Sequence, residues 1–193
     1  MMTLASAPRA AGPLSGPEPA GCDEAALIHE AAAGDTRAFG ELVRSHHRRV
    51  YNFLVQLTRH HHDAEDLTQQ TFVKAFHHLA RFDASRPLIN WLLTIARNTA
   101  LNHFRDTKHW EEMPVEPAGH EPTPACAAET KERTENLWAR ARAVLAPREF
   151  EVLWLRFGEE LSVRETAGVV GLTETHVKVL VFRARRALIE GKE

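Results

Sequence analysis

Cysteine is scarce in this chain: there are only Cys22 and Cys126, each alone in a stretch rich in proline, alanine and glycine. Two isolated cysteines build neither a disulfide framework nor a zinc site, which need several thiols or imidazoles at close spacing. No apolar run approaches the roughly 18 residues of a membrane helix, so direct membrane insertion is not expected. The first 20 residues lack the long apolar segment of a secretory signal, which makes the cytoplasm the expected location. A glycine-rich phosphate loop is missing, and nothing sets a nucleophile, a base and an oxyanion donor together. No enzyme activity and no cofactor are therefore expected. Charge of one sign is not in excess either: 24 Lys and Arg stand against 26 Asp and Glu, for a formal net charge of −2. The total alone does not announce a nucleic-acid partner.

Histidine, by contrast, is plentiful, with 12 residues including the run His60-His61-His62. Adjacent residues on a helix do not share a face. No H-x-x-x-H pair with a glutamate between is present, so no metal site is expected.

What the chain does contain is helical periodicity. Hydrophobic content of 44% and charged content of 26% are ordinary for a globular protein. Residues 1–23 are rich in Pro and Gly without periodicity, which predicts a disordered tail. Asp23 can cap a helix over 24–33 that Gly34 ends, and Asp35 or Thr36 caps the next. Phe39, Leu42, Val43, His46, Val50, Phe53, Leu54 and Leu57 mark the buried side of that second helix, with Arg44, Arg48 and Arg49 largely outside it. The histidine run is expected to close it. From Thr107 to Thr130 there are four prolines and an acidic excess, the pattern of a flexible linker. The expected organisation is all-α: one helical domain over 24–106, the linker over 107–130, and a second helical domain over 131–193.

The stretch from Asp63 to Asp106 is the most informative. Asp63 can cap one helix, with Glu65 and Asp66 in the first turn, where the helix dipole favours negative charge. Pro87 suits the first position of another. In that helix Leu88, Trp91, Leu92, Ile95 and Thr99 follow helical spacing and predict one buried stripe. Asn90, Thr94, Asn98 and Arg105 fall on an adjacent flank, Asn102 lies at its border, and Arg97 is expected on the exposed side. Amides with arginines alongside can hydrogen-bond base edges and phosphates.

In the second domain, Leu137, Trp138, Ala141 and Val144 predict one helical stripe, and Phe150, Leu153, Trp154 and Phe157 another, stopped at Gly158. Ser162 and Glu165 form a capping box. Gly171 ends that short helix and Thr173 caps a longer one, which gives helix-turn-helix proportions. On the last helix Val177, Leu180, Val181, Ala184 and Leu188 face the core. Thr175, His176, Lys178, Val179, Phe182, Arg183 and Arg186 project away from it. A basic face with exposed apolar side chains suits phosphates and thymine methyls in a major groove.

These segments resemble a known family. DAEDLTQQTF (63–72), RFDASRPLIN (81–90) and WLLTIARN (91–98) are similar, in order and separation, to region two of the extracytoplasmic-function sigma factors of the bacterial sigma-70 family. LAPREFEVLWLRF (145–157) and the run to FRARRAL (182–188) resemble region four. Three departures stand out. Gln70 replaces a usual glutamate, Glu160 replaces the glycine before Leu161-Ser162, and Val179-Leu180 replace Ser-Arg.

The resemblance implies a dissociable subunit that directs RNA polymerase core to promoters and helps melt them. It implies core binding through Asp66, Leu67, Gln69, Gln70 and Phe72, against the clamp coiled coil of the beta-prime subunit, with the flap of the beta subunit as a further contact. It implies minus-ten contacts by Asn90, Trp91, Arg97, Asn98, Asn102 and Arg105, and minus-thirty-five contacts by the exposed face of the last helix. An anti-sigma factor, in many members membrane-anchored, is the implied restraining partner, expected to wedge between the two domains. The rival reading is a LuxR-type regulator, whose output domains also resemble LAPREFEVL; it would need a receiver or ligand domain that residues 24–106 do not resemble.

Overall fold

The computed structural model describes residues 24–106 and 137–190, and every regular element among them is helical. The predicted tail 1–23, the predicted linker 107–130, Cys22, His120 and Cys126 lie outside the described residues.

The first helical group holds α1 (Glu24–Ala32), α2 (Thr36–Thr58), α3 (His61–His78) and α4 (Leu88–Asp106). Asp35 is the cap of α2: its Oδ1 accepts from the Arg37 and Ala38 N–H groups at 2.7 and 3.2 Å. Such a cap contributes about 1 kcal/mol. The expected buried side of α2 is buried at Leu42, His46, Val50, Phe53 and Leu54, and partly buried at Phe39, Val43 and Leu57.

The histidine run does not close α2. Thr58 is the last residue, Arg59 turns into the left-handed region at φ 63°, and His60 is the residue before α3. The buried Thr58 hydroxyl donates to the Leu54 carbonyl and accepts from the His60 N–H at 3.3 Å. That closes the break in place, so His61 and His62 start the next helix. Asp63 therefore sits inside the first turn of α3 rather than at its cap, where its charge still complements the dipole.

Helix α4 lies in the middle. It packs on α2 and α3 on one side and on α7 of the second group on the other. Leu88, Leu92 and Thr99 are buried as their spacing predicts. Ile89, Leu93, Ala96, Arg97 and Ala100 are buried as well, while Trp91 and Ile95 are only partly so. A helix covered from two sides has more than one buried stripe, and a single-stripe reading cannot anticipate the second.

The second group comprises α5 (described over 137–144), α6 (Pro147–Phe157), α7 (Val163–Val170) and α8 (Glu174–Glu190). In α5 the buried positions are Ala141 and, just after it, Leu145, with Trp138 against the Trp154 ring at 4.7 Å. Leu137 and Val144, predicted inside, are 56% and 42% exposed, because the tryptophan pair sets the rotation of the helix. Phe157 is also exposed, with the Arg156 guanidinium over its ring at 5.7 Å. Around α7 the predicted chemistry is in place. Ser162 Oγ accepts from the Glu165 N–H at 3.2 Å and the Glu165 carboxylate accepts from the Ser162 N–H at 2.8 Å. Gly171 ends the helix at φ 66°, a conformation glycine adopts without strain, and Thr173 Oγ1 accepts from the His176 N–H to open α8. Glu160, standing where the resembled family has glycine, takes a left-handed φ of 58°.

One cluster of buried apolar side chains runs through both groups, from Leu42, Phe53 and Leu93 to Val152, Leu155 and Val177. The two groups thus share a core, and the α4–α7 contact leaves no room for a third body between those helices.

Candidate nucleic-acid and protein interfaces

Helix α8 shows its predicted face in full. Of the five residues expected to face the core, Val177, Leu180 and Ala184 are buried and Val181 and Leu188 are partly buried. Thr175, His176, Lys178, Val179, Phe182, Arg183 and Arg186 are all exposed. Phe182 leaves 66% of its surface free. Arg186 Nε bonds the Glu190 carboxylate at 2.6 Å, an exposed pair of little energetic weight. Lys178 and Arg183 make no ion pair among the described residues. The result is a cationic, partly apolar strip able to follow a groove, with no competing acid along 178–186.

The residues singled out on α4 divide in two. Asn98, Asn102 and Arg105 are exposed, and at i, i+4 and i+7 they share one strip. Within it Arg105 donates to Asn102 Oδ1 at 2.7 Å. Trp91 is half-buried with its ring 5.0 Å from that of Phe82. The other two are covered by the second group. Asn90 Nδ2 donates to Glu165 Oε1 at 2.9 Å. Arg97, expected on the exposed side, is 8% exposed, and its Nε donates to Glu151 Oε1 at 2.5 Å. The reason is tertiary: α6 and α7 close over the side of α4 that would otherwise face solvent.

Glu151 is itself buried, and burial raises its carboxyl above the ordinary carboxylate range. Arg148 pulls the other way, bonding Glu151 Oε2 at 2.9 Å and the Val170 carbonyl at 2.8 Å. A third contact joins the groups nearby, where Arg49 Nε meets Glu159 Oε2 at 2.9 Å. Glu159 is 8% exposed. Glu165 is held below the carboxylate range by hydrogen bonds from Ser162 and then from Asn90. Sequence reasoning missed Arg49, Glu151 and Glu159 as contact residues. No periodicity distinguishes a glutamate that will meet an arginine 54 residues away from one that will meet water.

On α3 the predicted set divides too. Asp66, Gln69 and Gln70 are exposed and, with Val73 and Lys74, line a shallow open depression. Leu67 is 1% exposed and belongs to the core, not to that face. Phe72 is also buried, though its edge reaches an adjoining apolar depression with Thr36, Phe39, Val73 and Phe76. The histidines disperse: His61 Nδ1 meets the Tyr51 hydroxyl at 2.8 Å, and His62 lies 4.0 Å from Asp66. Among the described residues no three His, Cys, Asp or Glu side chains converge as metal ligands would, and no helix is long and apolar enough to cross a membrane.

Helix-turn-helix geometry at one end and an amide-bearing helix at the other agree with what known proteins show. The Sigma-70 region 2 family model matches residues 42–109, and the Sigma-70 region 4 model matches residues 137–188. The ECF RNA polymerase sigma factor BldN of Streptomyces coelicolor is 33% identical over 170 residues, covering 84% of this chain and 63% of that protein. This chain therefore spans less than two thirds of that relative's length. The ECF RNA polymerase sigma factor SigM of Bacillus subtilis is 30% identical over 155 residues, covering 77% of this chain and 91% of that one. The solved structure of CnrH in complex with the cytosolic domain of CnrY superposes with a TM-score of 0.63 at 28% identity, covering 88% of this chain and 99% of CnrH. The chain belongs to the extracytoplasmic-function group of the sigma-70 family of RNA polymerase sigma factors. Sigma factors are non-catalytic initiation factors, so this is not an enzyme.

Proposed function

We propose the following division of labour. The outer face of α3, with Asp66, Gln69, Gln70 and the edge of Phe72, docks on the clamp coiled coil of the beta-prime subunit, and the second helical group meets the flap of the beta subunit. Leu67 acts from beneath by holding that face in shape. The Asn98, Asn102 and Arg105 strip, with Trp91 beside Phe82 and with Asn90 and Arg97 once uncovered, receives unstacked bases of the non-template strand at the minus-ten element. Helix α8 enters the major groove of the minus-thirty-five element. Splayed bases need edge-reading amides, whereas duplex needs a helix in the groove. The domain boundaries 24–106 and 131–193 follow this division, with 107–130 as the tether. A soluble cytoplasmic protein restrained by a membrane-anchored anti-sigma factor completes the reading. With α4 and α7 already in contact, that partner embraces the packed pair from outside instead of separating it.

The observation that supports this best is α8: Val177, Leu180 and Ala184 are buried, Val181 and Leu188 are partly buried, and the whole predicted reading face is open. Run-off transcription with core polymerase on genomic fragments tests it. Discrete start sites that require both core and this chain are expected. Specific DNA binding that is as tight without core would favour the stand-alone regulator instead.

A further inference from the structure

Helix α2 carries four arginines, Arg37, Arg44, Arg48 and Arg49, against the single acid Glu41, in a chain whose formal net charge is −2. Arg49 turns to Glu159. The other three are exposed. At 3.6 residues per turn they fall within about 40° of one another, on the side opposite Leu42, His46, Val50 and Phe53. From Arg37 to Arg48 the line runs about 16 Å, the rise of about five nucleotide steps. Arg37 and Arg48 make no ion pair among the described residues. Arg44 is tied to Glu41 three residues before it, an exposed pair of little energetic weight that leaves its guanidinium open to exchange. Asn52, one turn beyond Arg48, is exposed and adds an amide donor to the line.

What the line lacks points to its partner. No large apolar side chain is exposed anywhere on α2. The centre of a protein–protein contact is apolar and poor in charge. Contacts to nucleic acid are polar, wet and cationic. Arginine forks match phosphate oxygens two bonds at a time, and an amide can bond a phosphate oxygen as well. The division of labour above uses α3, α4 and α8 and leaves this face without a role.

We propose that the outer face of α2 is a third nucleic-acid contact, in which Arg37, Arg44 and Arg48 follow the phosphate backbone of promoter DNA without reading its sequence. It requires that core polymerase with this chain bind promoter DNA, and it does not depend on which residues of α4 or α8 read the bases. Its energy comes from released counterions, so it shows in the salt dependence of binding and not in the choice of promoter.

The test uses the full chain with saturating core polymerase and a fluorescein-labelled promoter fragment recovered by run-off transcription. Anisotropy across a salt series gives the slope of log affinity against log salt. Arg37→Gln/Arg48→Gln should lower that slope by about two units, one for each phosphate left without its cation. Arg37→Lys/Arg48→Lys keeps the charge and should keep the parental slope. Start sites should be the same in all three proteins. Lys178→Ala, on α8, serves as the reference and should lower the slope by about one unit. If Lys178→Ala lowers the slope and the glutamine pair does not, the outer face of α2 is only solvated, and the inference alone fails. If neither lowers it, the duplex contact assigned to α8 fails as well. An unchanged slope with weaker binding to core in a pull-down titration would make an acidic surface of polymerase the occupant and overturn the assignment to DNA. Altered start sites in the glutamine pair would overturn the sequence-independent role.

Discussion

Arg97 Nε lies 2.5 Å from Glu151 Oε1, and the two side chains keep only 10% and 8% of their surface in solvent. A buried pair of this kind is a poor source of net stability, but removing one partner leaves the other costly. The two partners are not equivalent, because Glu151 has Arg148 in reserve while Arg97 has no second carboxylate. Glu151→Leu should therefore destabilise the chain more than Arg97→Met, by at least about 1 kcal/mol. Urea unfolding of both variants, compared at equal slopes, checks the order.

Glu160 occupies a left-handed conformation at φ 58°. For a residue with a Cβ this conformation costs roughly 1–2 kcal/mol. Glycine there loses about 0.4–1 kcal/mol through the freer unfolded chain. The balance predicts that Glu160→Gly raises stability by about 0.5 kcal/mol, read as a higher thermal midpoint with unchanged helical content.

On α3, neighbours should behave in opposite ways. Asp66→Ala removes an exposed side chain and should cost under about 0.5 kcal/mol of stability while weakening core association. Leu67→Ala empties a fully buried site and should cost about 2–5 kcal/mol. Melting curves beside a pull-down titration with core polymerase separate the two effects. Unchanged core affinity in Asp66→Ala would count against the docking face.

Along α8, replacing Lys178 or Arg183 by alanine should weaken promoter binding and lower its salt slope by about one unit for each phosphate left without its cation. Val179→Ser should alter which sequences are selected more than how tightly they are held, since Val179 is 41% exposed and truncating it opens no cavity. Selection from a promoter library with both proteins measures this.

The helices are legible in the sequence where local chemistry decides them. The Ser162–Glu165 box, Gly171 and most of the inward set of α8 need only spacing and side-chain type, whereas the cap of α2 is left between Asp35 and Thr36 until the structure selects Asp35. Glu160 is visible as a departure from a family pattern, but its backbone conformation is not. What stays hidden depends on tertiary packing. The sequence assigns Arg97 to solvent because one helix considered alone offers no sign that another group will cover its polar side. It places Leu137 and Val144 inside because helical periodicity fixes which residues share a face, not how far a tryptophan pair rotates that face. Leu67 and Asp66 are adjacent in a motif, and a motif does not separate the residue that touches a partner from the one that supports it.

The central claim is that α4 captures unstacked bases after the duplex has been bound. Asn98 is exposed on the strip it shares with Asn102 and Arg105. A base edge left without its amide partner costs about 1–3 kcal/mol. Lys178 and Arg183 lie on another helical group and, in the proposed division of labour, act before that step. The most direct measurement is permanganate reactivity of thymines near the start site, beside a mobility shift on the same samples, for the parent and Asn98→Ala. The account predicts closed complexes in near-parental yield and melted thymines reduced about tenfold, since 1.4 kcal/mol is a factor of ten. Parental melting by Asn98→Ala would contradict it and would leave Asn98 as a polar residue on a solvated face.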